Sequence, residues 1–170
     1  IGVCYGIAAM MIYFLPKRIV WIMSIIFLLG YWLVMYLGGD YTMTGNIGLQ
    51  IDTWLLGENH LYHGEGIAFD PEGVLSTIPS VVNVIIGYYA GVFIREKGNT
   101  YETVAKLMIA GAVLLAIAYF WILSFPINKK LWTSSFVFHT CGLSMLILGI
   151  LIYWIELAGR PIAVEFQLSG

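Results

Sequence analysis

The stretch LWTSSFVFHTCGLSMLILGILIYWI, residues 131–155, runs for 25 residues without a single Asp, Glu, Lys or Arg. At about 1.5 Å of rise per residue, a helix of this length can cross the roughly 30 Å hydrocarbon core of a bilayer. Three further charge-free runs of 19 to 21 residues precede it, at residues 19–37, 74–94 and 107–125. The sequence therefore predicts four full-length transmembrane helices.

The composition agrees with a membrane location. Of the 170 residues, 60% are hydrophobic and only 11% are charged, whereas a soluble domain has roughly 25% charged residues. A fifth apolar run, residues 1–15, covers about 22 Å as a helix and lacks the basic segment of a signal peptide, so we interpret it as a truncated span. The predicted fold is an all-α polytopic transmembrane helix bundle of five spans, one membrane domain over residues 1–170 that is part of a larger polytopic protein.

The distribution of basic residues predicts the orientation of the spans. If they alternate in direction, six cations fall on one side and two, Lys129 and Lys130, on the other; the six are Lys17, Arg18, Arg95, Lys97, Lys106 and Arg160. The positive-inside rule assigns the six-cation side to the cytoplasm. The loop 38–73, which is acidic and contains no Lys or Arg, is then extracytoplasmic. In a bacterium the membrane would be the inner membrane.

The loop 38–73 is too long for an ordinary connection, and such loops are usually functional or disordered. Ile47, Ile51, Trp54 and Leu55 recur at helical spacing, which predicts a short amphipathic helix over residues 47–56. Asn46 suits its N-cap and Gly57 the position just after its end. We expect this helix to lie against the outer ends of the spans.

The junction AFDPEG at residues 68–73 leads into the third long apolar run. Asp70 suits an N-cap, Pro71 the first helical position, and Glu72 the first turn near the positive end of the helix dipole. Further along, Pro79 removes the hydrogen bond to the carbonyl of Leu75. This pattern predicts a helix that begins at residue 71, and capping accounts for it without any binding role.

Polar residues recur inside the apolar runs. Ser76, Ser80, Asn83, Gly87 and Gly91 share one helical face, and Ser135 and His139 share another. Small residues are explained by close helix packing, but intramembrane Asn and His need partners and suggest function. We expect Asn83 and His139 to face a shared polar interior; the alternative for His139 is a neutral side chain that bonds a neighbouring helix.

The outer loop and the connection NKKLW carry the remaining candidates. The outer loop concentrates the acidic and imidazole groups of Glu58, His60, His63, Glu65, Asp70 and Glu72. The ordered ligand spacing of a zinc site is missing, so no metal is expected; the alternatives are a polar cup for a cationic or hydroxyl-rich substrate and an ordinary acidic loop. Lys130 and Trp132 suit either interfacial anchoring or binding of a sugar or anion. The sequence contains no nucleic-acid-binding patch.

Three segments, in order, resemble one protein family. They are IGVCYGIAAMMIYFLPK at 1–17, LLGENHLYHGEGIAFDPEGVLSTIPSVVNVIIGYYAG at 55–91, and NKKLWTSSFVFHTCGLSMLILGILIYWIEL at 128–157. They are similar to the transmembrane acetyltransferases typified by heparan-alpha-glucosaminide N-acetyltransferase and its bacterial homologues. The similarity spans most of residues 1–158, and the tail from Arg160 onward matches poorly.

The resemblance implies an enzyme that moves acetyl from cytosolic acetyl-CoA to an amino sugar on the extracytoplasmic side. It implies that the family's catalytic histidine precedes Ile1 and corresponds to no residue of this chain, so the catalytic residues are expected outside it. The acceptor-side wall would comprise Asp70, Glu72, His60, His63, Asn83, Trp132 and Lys130, with His139, Ser80 and Ser135 as further intramembrane polar groups. The expected partners are a saccharide amine and membrane lipid, without nucleic acid; a homodimer is compatible with the sequence. The competing hypothesis is a non-enzymatic transporter or exporter whose polar face lines a permeation path.

Overall fold

The computed structural model describes residues 2–64, 66 and 73–158. Across these ranges the regular elements are all helical, with no β-strand, so the prediction of an all-α bundle is confirmed. The six α-helices are α1 (Gly2–Phe14), α2 (Lys17–Leu37), α3 (Ile47–Leu56), α4 (Thr77–Lys97), α5 (Tyr101–Trp121) and α6 (Ser134–Ile152). A 3-10 turn, Glu58–His60, follows α3, and a π-helical turn, Tyr153–Leu157, extends α6.

Four helices are long and apolar enough to cross a membrane. They are α2, α4 and α5, with 21 residues each, and α6 together with its π-helical turn, with 24 residues. The shorter α1 has 13 residues. The chain is an integral membrane protein of the polytopic helical class.

Close packing of glycines joins α5 to α6. A methyl group placed on Gly142 would lie 2.7 Å from the carbonyl oxygen of Gly111, and one on Gly111 would lie 2.8 Å from that of Gly142. Small residues permit such close approach in membranes, where packing drives association. On the other side of the bundle, α4 packs against α1, α2 and α6. The helix α4 therefore lies at the centre, where its polar residues meet several neighbours.

The predicted loop helix is present with the predicted bounds. Its N-cap, Asn46, accepts a hydrogen bond from the backbone N–H of Leu49 at 2.8 Å. The side-chain amide of Asn46 also donates to the carbonyls of Thr42 and Met43, at 2.8 and 3.0 Å. Gly57 follows the last helical residue with φ of +77°, a conformation that favours glycine. Asn46 thus fixes both the start of α3 and the loop that precedes it.

The face that α3 turns toward the protein differs from the prediction. Trp54 is 83% exposed, while the buried residue of this helix is Asp52, which is 4% exposed. Of the apolar residues at helical spacing, Ile47 packs against the core while Trp54 and Leu55 are exposed, so the spacing predicted the inward face only in part. The physical reason is a hydrogen bond: the carboxylate of Asp52 accepts from the backbone N–H of Val74 at 2.9 Å.

The helix α4 begins later than the sequence predicted. Its first residue is Thr77 and its N-cap position is held by Ser76, so the prediction of a start at residue 71 is wrong; Asp70, Pro71 and Glu72 lie outside the described residues. Pro79 is consequently the third helical residue, where the backbone N–H has no intrahelical partner in any case. The carbonyl of Leu75 is satisfied, because it accepts from the N–H of Ile78 at 3.2 Å.

The last two long helices also differ from the apolar runs at their ends. Helix α5 begins at Tyr101, among polar residues that precede its apolar run. Its N-cap is Thr100, whose side chain accepts a hydrogen bond from the N–H of Thr103. An ion pair of 2.5 Å between Glu102 and Lys106 stabilises the first turn. Helix α6 begins at Ser134, where Thr133 caps it through the N–H of Phe136. Charge-free runs therefore marked the apolar core of these helices rather than their ends.

Candidate functional site

Four segments meet around the carboxylate of Asp52, at the end of the bundle that bears the loop 38–73, which we call the outer end. A narrow cavity of about 10 Å³ lies between Tyr31 of α2, Asp52 of α3, Ser76 before α4, and Lys130 in the loop between α5 and α6. This volume suits about one water molecule. We call these four residues the outer cluster.

The loop between α5 and α6 is held in place by its own hydrogen bonds. Asn128 accepts from the backbone N–H of Lys130 at 2.9 Å and its own N–H donates to the hydroxyl of Thr133 at 3.0 Å. The hydroxyl of Tyr31 donates to the carbonyl of Leu131. Lys130, a predicted substrate-binding residue, is therefore half-buried on an ordered loop.

A second polar centre surrounds Asn83 inside the bundle. Its carboxamide oxygen accepts from the indole Nε1–H of Trp132 at 3.0 Å, and its nitrogen donates to the hydroxyl of Thr140 at 3.1 Å. The same nitrogen lies 3.1 Å from the sulfur of Cys141. Trp132 has φ of +51°, an uncommon backbone conformation for a bulky residue. The structure therefore brings together two residues of the predicted site, Asn83 and Trp132.

Two cavities border the side chain of Asn83. The larger, about 790 Å³, lies between α1 and α4 and is lined mainly by apolar and tyrosine side chains, including Tyr5, Tyr13 and Tyr88. The smaller, about 200 Å³, lies between α4 and α6. A pocket with a few polar groups in an apolar lining is the usual form of a small-molecule site. The amide of Asn83 therefore borders both cavities and contacts Trp132 in the loop between α5 and α6.

His139 lies apart from Asn83. Its ring packs edge-on against Tyr119 of α5, with the ring centres 5.8 Å apart, whereas Asn83 contacts the face of α6 that carries Thr140 and Cys141. Among the described residues the buried Nδ1 of His139 has no hydrogen-bond partner. The structure does not bring these two predicted residues together in one site.

The two serines among the candidates are satisfied by nearby carbonyls. The hydroxyl of Ser80 donates to the carbonyl of Ser76 at 2.8 Å, one helical turn earlier. The hydroxyl of Ser135 donates to the carbonyl of Pro126 at 3.1 Å and is buried. These contacts satisfy the polar groups locally, which is a sufficient structural role for both hydroxyls.

The outer histidines occupy an exposed position after α3. The Nδ1 of His60 lies 2.8 Å from the carbonyl of Leu56, so Nδ1 carries the proton and, in the neutral ring, Nε2 is an acceptor. His63 is exposed. Asp70 and Glu72 lie outside the described residues, and within the described part no group of three or more His, Cys, Asp or Glu side chains is arranged to hold a metal.

The loop that leads to α3 contains one carboxylate with a perturbed pKa. Asp40 accepts hydrogen bonds from the hydroxyl of Thr42 at 2.5 Å and from its N–H at 2.9 Å. Both bonds favour the ionised form and so lower the pKa of Asp40, and the bond from the hydroxyl has the larger effect. The carboxylate remains solvent-exposed, so it orders the loop without forming part of the buried outer cluster.

Sequence reasoning missed two residues that the structure places at these centres. Asp52 is the acidic residue inside the otherwise apolar pattern of α3, and this interruption was the available signal. Thr140 lies next to His139, and its hydroxyl rather than the imidazole meets Asn83. Helical spacing alone could not decide which of two adjacent residues faces α4.

The fold and its two polar centres define a polytopic helical membrane protein with a half-buried amide centre and an ordered loop between α5 and α6. No family model matches the chain. Its curated relatives include the heparan-alpha-glucosaminide N-acetyltransferases of Mus musculus and Homo sapiens. The mouse protein is 32% identical over 75% of this chain and 22% of its own length. The human protein is 30% identical over 79% of this chain and 24% of its own length.

These similarities confirm the resemblance to the transmembrane acetyltransferase family typified by heparan-alpha-glucosaminide N-acetyltransferase. The chain spans about a quarter of the length of the two relatives. By name, both relatives transfer an acetyl group to a glucosaminide nitrogen.

Proposed function

We propose that this chain is part of a membrane-embedded acetyltransferase. The observation that carries the proposal is the sequence similarity to two named N-acetyltransferases over three quarters of the chain. The donor would be acetyl-CoA on the cytoplasmic side and the acceptor an amino sugar on the extracytoplasmic side. The charge asymmetry between the two sides of the bundle supports this direction, because cytoplasmic cations favour the phosphates of CoA.

Transfer of acetyl from a thioester to an amine has three requirements. The amine must be deprotonated, the oxyanion of the tetrahedral intermediate must be stabilised by hydrogen-bond donors, and water must be excluded. A reaction site inside the membrane would exclude water. The described residues contribute binding and orientation, and we assign no catalytic role to His60, His63 or His139.

The acceptor side of the site would be the outer end of the bundle. His60 is exposed in the loop 38–73, and Lys130 and Trp132 are half-buried in the loop between α5 and α6. An indole face suits the apolar side of a sugar ring, and carboxylates such as Asp70 and Glu72 suit its ammonium group. Asn83, bonded to Trp132, would form the inner limit of this wall.

The donor would approach from the cytoplasmic side. The groove between α1 and α4 is the larger space beside Asn83, and its mixture of tyrosines with one amide suits an elongated amphipathic molecule. A non-enzymatic transporter would use the same polar groups as a permeation path. No observation in the described helices favours that alternative over transfer.

The decisive test is an assay of the purified full-length protein with acetyl-CoA and glucosamine. The proposal predicts that N-acetylglucosamine forms at a rate that requires both substrates and folded protein. The control is heat-denatured protein of the same preparation. Absence of transfer to any amino sugar, together with flux of an unmodified substrate into vesicles, would establish the transporter instead.

A further inference from the structure

Asp52 is buried on a helix whose last apolar residues, Trp54, Leu55 and Leu56, are exposed. It is 4% exposed, while Trp54, two residues later, is 83% exposed. Burial of a carboxylate is unfavourable unless hydrogen-bond donors compensate for its lost hydration. An apolar residue of similar size in the same position would often make the protein equally stable. A role other than stability is therefore a reasonable expectation for Asp52.

The carboxylate contacts the backbone that leads into α4. Its Oδ1 accepts from the N–H of Val74 at 2.9 Å, and its Oδ2 occupies the space beside Gly73. A Cβ at Gly73 would lie 1.9 Å from that oxygen and 2.8 Å from Cγ. Gly73 is not among the described glycines with positive φ, so the close approach of Asp52, rather than an unusual backbone conformation, requires glycine here.

The contact of Asp52 with Gly73 and Val74 fixes one side of the cavity that the outer cluster lines. Gly73, Ser76 and Lys130 line the same narrow cavity as Asp52. A shift of the Asp52 carboxylate would therefore displace the entry to α4 relative to the loop that carries Lys130. The position of the start of α4 relative to Lys130, a residue of the proposed acceptor-binding wall, therefore depends on one buried side chain.

We propose that Asp52 is a positioning residue that, through its contact with Gly73 and Val74, holds the start of α4 in register with Lys130 of the acceptor-binding wall. The inference rests on the proposed function, because it assigns the wall to the amine acceptor. Asp52 itself does not touch the substrate. Displacement of a binding wall by about 1 Å from a remote contact is enough to change kinetics by up to about a hundredfold.

The test compares Gly73→Ala with the wild type in the full-length protein. The KM for glucosamine is expected to rise about tenfold, whereas the KM for acetyl-CoA, which binds elsewhere, is expected to stay within about twofold of the wild type. In an Asp52→Ser background the carboxylate oxygen that meets the new methyl group is absent, so Gly73→Ala should change the glucosamine KM by less than about twofold.

The matched control is Gly30→Ala on α2, where a methyl group meets no atom within 4 Å.

Several outcomes would overturn the inference. They are an unchanged glucosamine KM in Gly73→Ala, equal increases in both KM values, an undiminished effect in the Asp52→Ser background, or failure of both Gly73→Ala and Asp52→Ser to fold. The last would assign the contact to stability alone.

A binding measurement separates this inference from the proposed function. Glucosamine is expected to raise the Tm of the wild type, and Gly73→Ala to reduce that shift. If the wild type shows the shift but transfers no acetyl group, the proposed function fails and the loss of the shift in Gly73→Ala still supports the inference. A wild type with neither transfer nor a glucosamine-dependent shift contradicts both.

Discussion

The indole N–H of Trp132 donates to the carboxamide oxygen of Asn83 across 3.0 Å, which ties the loop between α5 and α6 to the first half of α4. The amide nitrogen of Asn83 continues the connection to Thr140 on α6. The helix α4 is thus joined through one side chain to the loop between α5 and α6 and to the following helix α6, 49 and 57 residues later in the sequence. This arrangement explains why an amide is tolerated in an apolar helix, since both of its polar atoms have partners.

Trp132→Phe is expected to lower the stability of the protein. The substitution keeps an aromatic ring but removes the donor to Asn83, and an interhelical hydrogen bond in a membrane contributes about 1 kcal/mol. Thermal unfolding of the purified protein measures the change. Trp154→Phe is the matched control, because Trp154 is 52% exposed on the surface of the last span; an equal loss in both variants would contradict a specific role for the bond.

Gly142→Ala is expected to destabilise the protein by about 1 to 3 kcal/mol, since the new methyl group would lie 2.7 Å from the carbonyl of Gly111 and force α5 and α6 apart. The measurement is the melting temperature in the same detergent. Gly30→Ala, where space is open, is expected to be neutral or slightly stabilising. A Gly142→Ala variant as stable as Gly30→Ala would show that α5 and α6 do not pack through these glycines.

His139→Phe is expected to leave acetyl transfer within about twofold of the wild type and stability unchanged or raised by up to about 1 kcal/mol. The reason is that the ring already packs against Tyr119 and its buried Nδ1 has no partner in the described part of the chain. Steady-state transfer kinetics and thermal unfolding test the two parts. A large loss of kcat at unchanged stability would instead make His139 a functional residue.

Asp40→Asn is expected to lower stability at neutral pH and to have progressively less effect in acid. The folded-state pKa of Asp40 is lowered by its hydrogen bonds with Thr42, so its contribution is present above the ordinary pKa of about 3.9 and is lost as pH falls through the folded-state value. Comparison of Tm for the wild type and the variant between pH 6 and pH 3 measures this. A difference that grows toward low pH would contradict the assignment.

Much of the fold could be predicted from the sequence because its signals are local. Charge-free length identified the four long helices, and Asn46 and Gly57 marked both ends of α3. The late start of α4 and the inward face of α3 could not be predicted, because the carboxylate of Asp52 bonds the backbone of Val74, 22 residues away. Amphipathic spacing carries no information about such a contact.

In the candidate site, too, the individual residues could be predicted from the sequence but their contacts could not. Asn83 and Trp132 were identifiable individually, as a polar residue in an apolar run and an aromatic residue at an interface. Their hydrogen bond depends on the left-handed backbone of Trp132 and on the approach of α4 to α6, which are tertiary features. The same approach brings Thr140, and not His139, to Asn83.

The measurement that tests the account most directly is transfer across a sealed membrane. Full-length protein is reconstituted into vesicles that contain glucosamine, and acetyl-CoA is supplied only outside. If acetyl is transferred across the membrane, N-acetylglucosamine accumulates inside vesicles that contain the protein and not in protein-free vesicles. Product that forms only when acetyl-CoA and glucosamine are on the same side of the membrane would contradict transfer across the membrane.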